Sequence, residues 1–242
     1  MTVAIADARP VAGRLAGTAT GVPWPRSGPL LLAVRGDDAT FVRLLDGAEV
    51  DASHTLAGEP RGAIAFDLPV ADAVRLSAAV GDELVRRGAW ARCVQILGAF
   101  SAAADLTVTH IGERTQFGRP LNKFQAVQHA LAGMLGEIER SRAATALATA
   151  AVADHGFDSA RADYAVTVAK VAVGRAVGPV TTTAHQLHGA IGVTIEHPLW
   201  LATMRARSWA DDYGTTAQYA KGLGRMALSG DDPWDLVVGA RI

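Results

Sequence analysis

The chain has 242 residues, of which 50% are apolar and 19% charged, a composition that buries a substantial core and does not stay disordered. A formal net charge of −1 leaves no basic field for the phosphates of a duplex, so no nucleic-acid partner is expected. Cys93 is the only cysteine, which excludes a disulfide framework and fits a reducing cytoplasmic location.

The start, Met1 to Gly13, carries Asp7 and Arg9 and lacks the basic-then-apolar order of a signal peptide. The strongly apolar run Pro29 to Val34 is far too short to span a bilayer, so no membrane partner is expected. Five segments then read as strands: Gly13 to Thr20, Leu30 to Arg35, Thr40 to Leu45, Glu49 to His54 and Arg61 to Leu68. Turn sequences such as Pro-Arg-Ser-Gly, Gly-Asp-Asp and Gly-Glu-Pro separate them, which predicts a small, mostly antiparallel sheet. Near Ser77 the period changes to that of helices, placing a boundary between residues 1–77 and 78–242. Asp82 to Glu113, Lys123 to His155 and Ser159 to Leu187 read as three long helices, the third with Asp158 as N-cap. Shorter helices follow at Leu199 to Trp209 and Thr215 to Leu228. The second long helix is rich in alanine, and the third carries Val166, Val168, Val171, Val173, Val177 and Val180 with few charges. Small faces suit tight helix packing, and a helix apolar on most sides predicts burial against a further bundle, hence oligomerisation.

Three motifs carry chemistry. Glu113-Arg114-Thr115-Gln116-Phe117-Gly118-Arg119-Pro120 closes the first long helix. Its arginine can fork onto a diphosphate and its phenylalanine offers a flat face, although a charged helix end before Gly and Pro is also an ordinary cap. Gln186-Leu187-His188-Gly189-Ala190-Ile191-Gly192 ends the third helix, where glycines let backbone N–H groups approach a ligand. Asp211-Asp212-Tyr213-Gly214-Thr215 precedes the last helix. His185 and His188 lie at i and i+3, but no carboxylate completes a set at helical spacing, so no metal is expected. No Glu-x-x-His stands on the long helices, against a di-iron bundle.

Together with Phe124-Gln125-Ala126-Val127-Gln128-His129, Ala169-Lys170 and Glu196-His197-Pro198, these motifs from about Asp82 to Leu228 resemble the acyl-CoA dehydrogenase family. The resemblance implies an α+β, mostly helical fold: a short antiparallel β-domain followed by that family's C-terminal four-helix bundle. Gly13-Arg14-Leu15-Ala16-Gly17-Thr18 resembles a strand of its β-domain, and Ala65 to Leu76 the last strand and exit. The N-terminal helical domain and the first flavin loop of the family have no counterpart, so a partial β-domain is expected. The resemblance also implies an FAD shared across a subunit interface, gripped by Arg114, Gln116, Phe117, Gln125, Gln186, Gly189 and Thr215. Ala190 stands where the family form, Gln-x-x-Gly-Gly-x-Gly, has its second glycine.

The family's base is a carboxylate that removes the α-proton of an acyl-CoA thioester while hydride leaves to the flavin. Its usual position corresponds to Tyr213, and a phenol, with an ordinary pKa of roughly 10, is a poor base. The alternative position on the first long helix falls at Gly88. Asp212 and Asp211 are the fallback acids, though they also read as solvated loop carboxylates near a helix start. The expectation is therefore a truncated subunit that completes the FAD site of a longer acyl-CoA dehydrogenase-like chain, in a dimer of dimers. Acyl-CoA would be the substrate and electron-transfer flavoprotein the acceptor. The alternatives are an autonomous enzyme using Asp211 or Asp212, and a non-catalytic scaffold of the same fold.

Overall fold

The computed structural model describes residues 1–26, 28–229 and 232–238. The chain divides into two compact units, Met1–Val85 and Arg86–Ile242.

The first unit holds seven strands: β1 Thr2–Asp7, β2 Arg14–Pro23, β3 Leu30–Arg35, β4 Ala39–Leu45, β5 Asp51–His54, β6 Pro60–Pro69 and β7 Val74–Ser77. They form two sheets, not one, with strand orders β1-β3-β4-β7 and β2-β6-β5. The expected strands all form, and two unexpected ones join them. The burial of β3 explains the first addition. Its sequence, LLLAVR, is buried at four of six positions, so both of its edges need a neighbour. β4 pairs antiparallel on one side, while β1 pairs in parallel on the other, from Thr2 opposite Leu30 to Asp7 opposite Arg35. The last of these pairs is also an ion pair, Arg35 Nε to Asp7 Oδ1 at 2.8 Å. β7 is an edge strand with every residue exposed, and it pairs with β4 alone. The inner faces meet in a core containing Leu15, Val22, Leu32, Phe41, Ile64 and Phe66.

The second unit is the bundle: α1 Ala78–Glu113, which begins within the first unit, then α2 Gln125–His155, α3 Ala160–His188, α4 Leu199–Trp209, α5 Thr216–Leu228 and α6 Pro233–Val237. By length and hydropathy alone α1 could cross a membrane. Its Ala89, Cys93, Ile96 and Phe100 are instead part of the bundle core with Met134, Ile138, Val173 and Leu199. α3 is the central rod, with buried residues from Ala162 to His188. α1, α2, α4 and α5 of the same chain already cover much of it, so the valine-rich sequence does not by itself require a second bundle. Each fully buried valine here contributes about 1.5–3 kcal/mol.

Two helix starts are set by side chains. The cap of α3 is Ser159, whose Oγ accepts from the Ala162 N–H at 3.1 Å; the expected cap, Asp158, lies one residue too early. α5 opens with a capping box between Thr215 and Gln218. Gly174 lets α5 approach α3 closely, because a Cβ there would strike the side chain of Thr216.

Candidate functional site

The segment after α1 is a hairpin, β8 Thr115–Gln116 against β9 Arg119–Pro120. Arg114 joins it to the helix: its N–H donates to His110 O, and its own carbonyl accepts from Leu121 N–H, both at 2.9 Å. The turn is Phe117-Gly118, with φ of 51° and 77°. Two consecutive positive φ values make a two-residue turn that suits the twist of the strands. The turn thus begins at Phe117, before the Gly118-Arg119-Pro120 run. Phenylalanine is a poor choice for the left-handed region, and the ring is 90% exposed. It meets Phe124 edge to face at 6.2 Å, and the Arg119 guanidinium lies 4.2 Å from the Phe124 ring centre. Arg114, Gln116 and Gln125 are exposed around it.

At the end of α3, the Gln186 carbonyl accepts from the Gly189 N–H while the side chain of Gln186 is exposed. Gly189 turns the chain with φ 65°, and a Cβ there would meet nothing, so the glycine serves conformation and not space. Ala190 lies in the short 3-10 turn Gly189–Val193 that follows, without a positive φ. Beyond it Val193 is 72% and Ile195 82% exposed.

Histidines join these two ends. His110, one turn before Arg114, stacks on His188 with ring centres 4.6 Å apart and planes at 17°. His197 closes the group, 4.8 Å from His188 and 6.4 Å from His110. Sequence reading singled out His185 and His188 and passed over His110, because no helical spacing links residues on different helices. Among the described residues no group of three or more His, Cys, Asp or Glu could hold a metal ion.

Among the described residues, four buried side-chain polar atoms lack a hydrogen-bond partner: Arg92 Nε, Asn122 Oδ1, His185 Nδ1 and His188 Nε2. Three of them belong to the segments beside the hairpin and beside Gln186. Unsatisfied acceptors next to an exposed arginine and an exposed ring suit a ligand with hydroxyls, phosphate and a flat base, so a dinucleotide fits the residues present. Thr215 is different. Its hydroxyl is occupied by the cap, accepting from Gln218 N–H at 3.2 Å and donating to Gln218 Oε1 at 3.2 Å.

The base positions lie elsewhere on the bundle and are found together. Tyr213 has φ 59°, and its ring packs on α1 at Gly88, where a Cβ would collide with the ring carbons. The loop that carries it is tied at every carbonyl from 210 to 213 except one. Lys170, 2% exposed, donates to Ala210 O at 2.8 Å and to Asp212 O at 2.9 Å. Tyr219 Oη donates to Tyr213 O at 2.9 Å. Arg92 Nε stands 2.7 Å from Asp212 Oδ2, within ion-pair distance though off the hydrogen-bond line, and its guanidinium lies 5.2 Å from the Trp209 ring centre. Asp211 is exposed. Burial lowers the Lys170 pKa, against the opposing pull of Cys93, Asp212 and Asp211. Burial also pushes the Cys93 thiol up to about 12. Sequence reading missed Arg92, whose partner lies far along the chain, and Tyr219, whose hydroxyl reaches back to the Tyr213 carbonyl.

Known proteins resemble this chain in sequence and fold. The family described as acyl-CoA dehydrogenase, C-terminal domain, matches residues 82–217. The acyl-CoA dehydrogenase IpdE2 of Mycolicibacterium smegmatis is 26% identical over 193 residues, covering 78% of this chain and 59% of its own length. A variant of the Tcur3481–Tcur3483 steroid ACAD superposes with a TM-score of 0.77 and 28% identity, covering 95% of this chain and 63% of that one. The ChsE4–ChsE5 complex of Mycobacterium tuberculosis gives a TM-score of 0.80 at 24% identity, over 95% and 63%, and shows the shared fold. The chain thus spans less than two thirds of the length of these relatives.

Proposed function

The chain belongs to the acyl-CoA dehydrogenase family, and from that premise we propose that it is a base-less subunit of a flavin-dependent acyl-CoA dehydrogenase. In this reading it completes the FAD site of a longer partner chain, which supplies the carboxylate. The observation that carries the proposal is the contact of Tyr213 with Gly88. Neither position offers a carboxylate, and the phenol ring fills the space in which a side chain at 88 would stand.

FAD supplies the hydride acceptor when bound. Arg114 would hold its diphosphate by charge-assisted hydrogen bonds, Phe117 would cover a flat ring, and Gln186 with the Gly189 backbone would meet the sugar. A neighbouring subunit at this end would cover the exposed Phe117, Val193 and Ile195. The neighbour described as the ChsE4–ChsE5 complex, and the paired name of the Tcur3481–Tcur3483 steroid ACAD, support the heteromeric form. An acyl-CoA thioester would be the substrate and electron-transfer flavoprotein the acceptor.

The competing reading gives Asp212 or Asp211 the role of base. Asp212 is engaged by Arg92, and Lys170 ties the backbone around it at the Ala210 and Asp212 carbonyls, so re-registering this loop would break those bonds. The test is purification from the native context, with absorption spectrum, subunit composition and turnover of a panel of acyl-CoAs with an artificial acceptor. The proposal expects a yellow complex with a longer chain and no turnover by this chain alone. Turnover by the isolated chain at about 10 per second, abolished by Asp212→Asn, would replace it with the displaced acid.

A further inference from the structure

We propose that the imidazoles of His110, His188 and His197 form an acid-released latch, holding the hairpin-bearing end of α1 on the Gln186–Gly189 end of α3. The latch follows from geometry. Two imidazole rings with centres 4.6 Å apart and nearly parallel planes stack well when both are neutral. When both carry charge they repel across a gap too narrow for water to screen. His197, edge-on at 4.8 Å from His188, seals the side of the stack.

The tautomer of His188 sharpens the point. Its Nδ1 lies 2.8 Å from Ala184 O, which accepts and therefore fixes the proton on Nδ1. Nε2 is then a lone-pair nitrogen, and it is buried without a partner in a residue only 5% exposed. A proton arriving there finds no acceptor inside. The ring can satisfy the new N–H only by turning out to water, and that movement parts it from His110.

The surrounding charges favour the same outcome. On α1 the groups near His110 are Glu113 and Arg114, and on the loop after α3 it is His197. His188 faces His110, His197 and His185. His185 in turn feels Arg207 of α4, and its Nε2 lies 2.8 Å from Thr203 Oγ1. Glu113 is the one acid among them, and it is exposed. Burial first, and neighbouring positive charge second, hold His110 below its ordinary value of 6.5. His188 is lowered too, chiefly by burial and against its backbone hydrogen bond to Ala184, and His185 is lowered chiefly by burial. A base whose folded-state pKa is depressed binds fewer protons folded than unfolded. The contact is therefore at full strength above about pH 6.5 and weakens as the pH falls below it.

The latch does not depend on the cofactor reading. Where that reading holds, acid would also separate Arg114 from Gln186 and loosen any ligand between them.

Hydrogen exchange of the full chain at pH 7.5 and pH 5.0, corrected for intrinsic rates, tests the latch. The expected result is at least a tenfold loss of protection at residues 110–121 and 186–197 at pH 5.0, while α2 and the middle of α3 keep theirs. Unchanged protection at both ends would overturn the proposal, and so would an equal loss throughout the bundle. His110→Phe keeps a flat ring and removes a titrating group, so its opening should need a lower pH; an unchanged midpoint would count against the latch. Should that variant fail to fold, NMR titration of the wild-type imidazoles decides. Midpoints for His110 and His188 below 6.5 support the latch, and midpoints at or above 6.5 refute it.

Discussion

The ring of Tyr213 occupies the place that a Cβ of residue 88 would need. These residues are far apart in sequence, and in the proposed reading they are the two positions that correspond to the family's base. In this chain the two are a matched pair, one as small as possible and one large, so neither can change alone without cost.

That pairing predicts strong non-additivity. Gly88→Ala should lower stability by about 1–3 kcal/mol, the usual cost of forcing extra atoms into a packed contact. Tyr213→Ala should cost less, because the ring is only half buried and its left-handed backbone remains strained. The double variant should be more stable than the sum of the singles predicts, by an interaction energy of about 1 kcal/mol or more. Urea denaturation of the four proteins measures it, and simple additivity would show that the contact is not tight.

Lys170→Met should release the loop at 210–213. It removes two hydrogen bonds from a charged donor and leaves two carbonyls unpaired, at an expected cost of at least about 2 kcal/mol. Lys170→Arg should not rescue it, since a planar fork is too large for a site shaped around an ammonium. The midpoint and slope of denaturation check the first variant, and the second should match it within error.

Arg114→Ala should reduce FAD retention by the assembled complex, by about 1.5–3 kcal/mol, the range for a hydrogen bond to a charged group. Gln186→Ala should do so more weakly. Both side chains are exposed, so circular dichroism should not change. Full flavin content after gel filtration of the Arg114→Ala complex would remove the main support for a cofactor role.

Phe117→Gly separates presentation from folding. The substitution relieves a left-handed phenylalanine and removes a side chain that is almost wholly exposed. The isolated chain should hold its stability or gain a few tenths of a kcal/mol. Association with the longer chain should weaken. A clear loss of stability in the isolated chain would instead make Phe117 a structural residue.

Thr215→Ala should cost about 1 kcal/mol through loss of the capping box, with fraying of the first turn of α5 by hydrogen exchange. Thr215→Ser should restore most of it. Restoration of flavin binding by serine without restored stability would show a role beyond the cap.

Sequence patterns revealed what is local in this fold. The turns around Leu30 to Arg35 flagged β3 and its hairpin partner, but no turn can reveal β1, because a parallel neighbour is joined through a strand of the other sheet. β7 is short and wholly exposed, so it carries no alternation to read. Asp158 and Ser159 are both good caps, and only the backbone direction decides for Ser159. The site divides in the same way. Arg114, Phe117, Gln186 and Tyr213 stood out by resemblance, each in its own motif. The Tyr213–Gly88 contact, the two bonds from Lys170 and the His110–His188 stack join residues on different helices, and such pairings leave no spacing in a sequence.

Cys93 is the chain's single thiol and sits fully buried beside Lys170 in the bundle core, with its acidity suppressed to about 12. Only the thiolate reacts, and no reagent reaches it while the core is closed. Its labelling rate is therefore a clock for core opening, wound into the molecule without any added dye. Read at increasing concentrations of a longer companion chain, that clock would time how far assembly at the bundle surface slows the breathing of its centre.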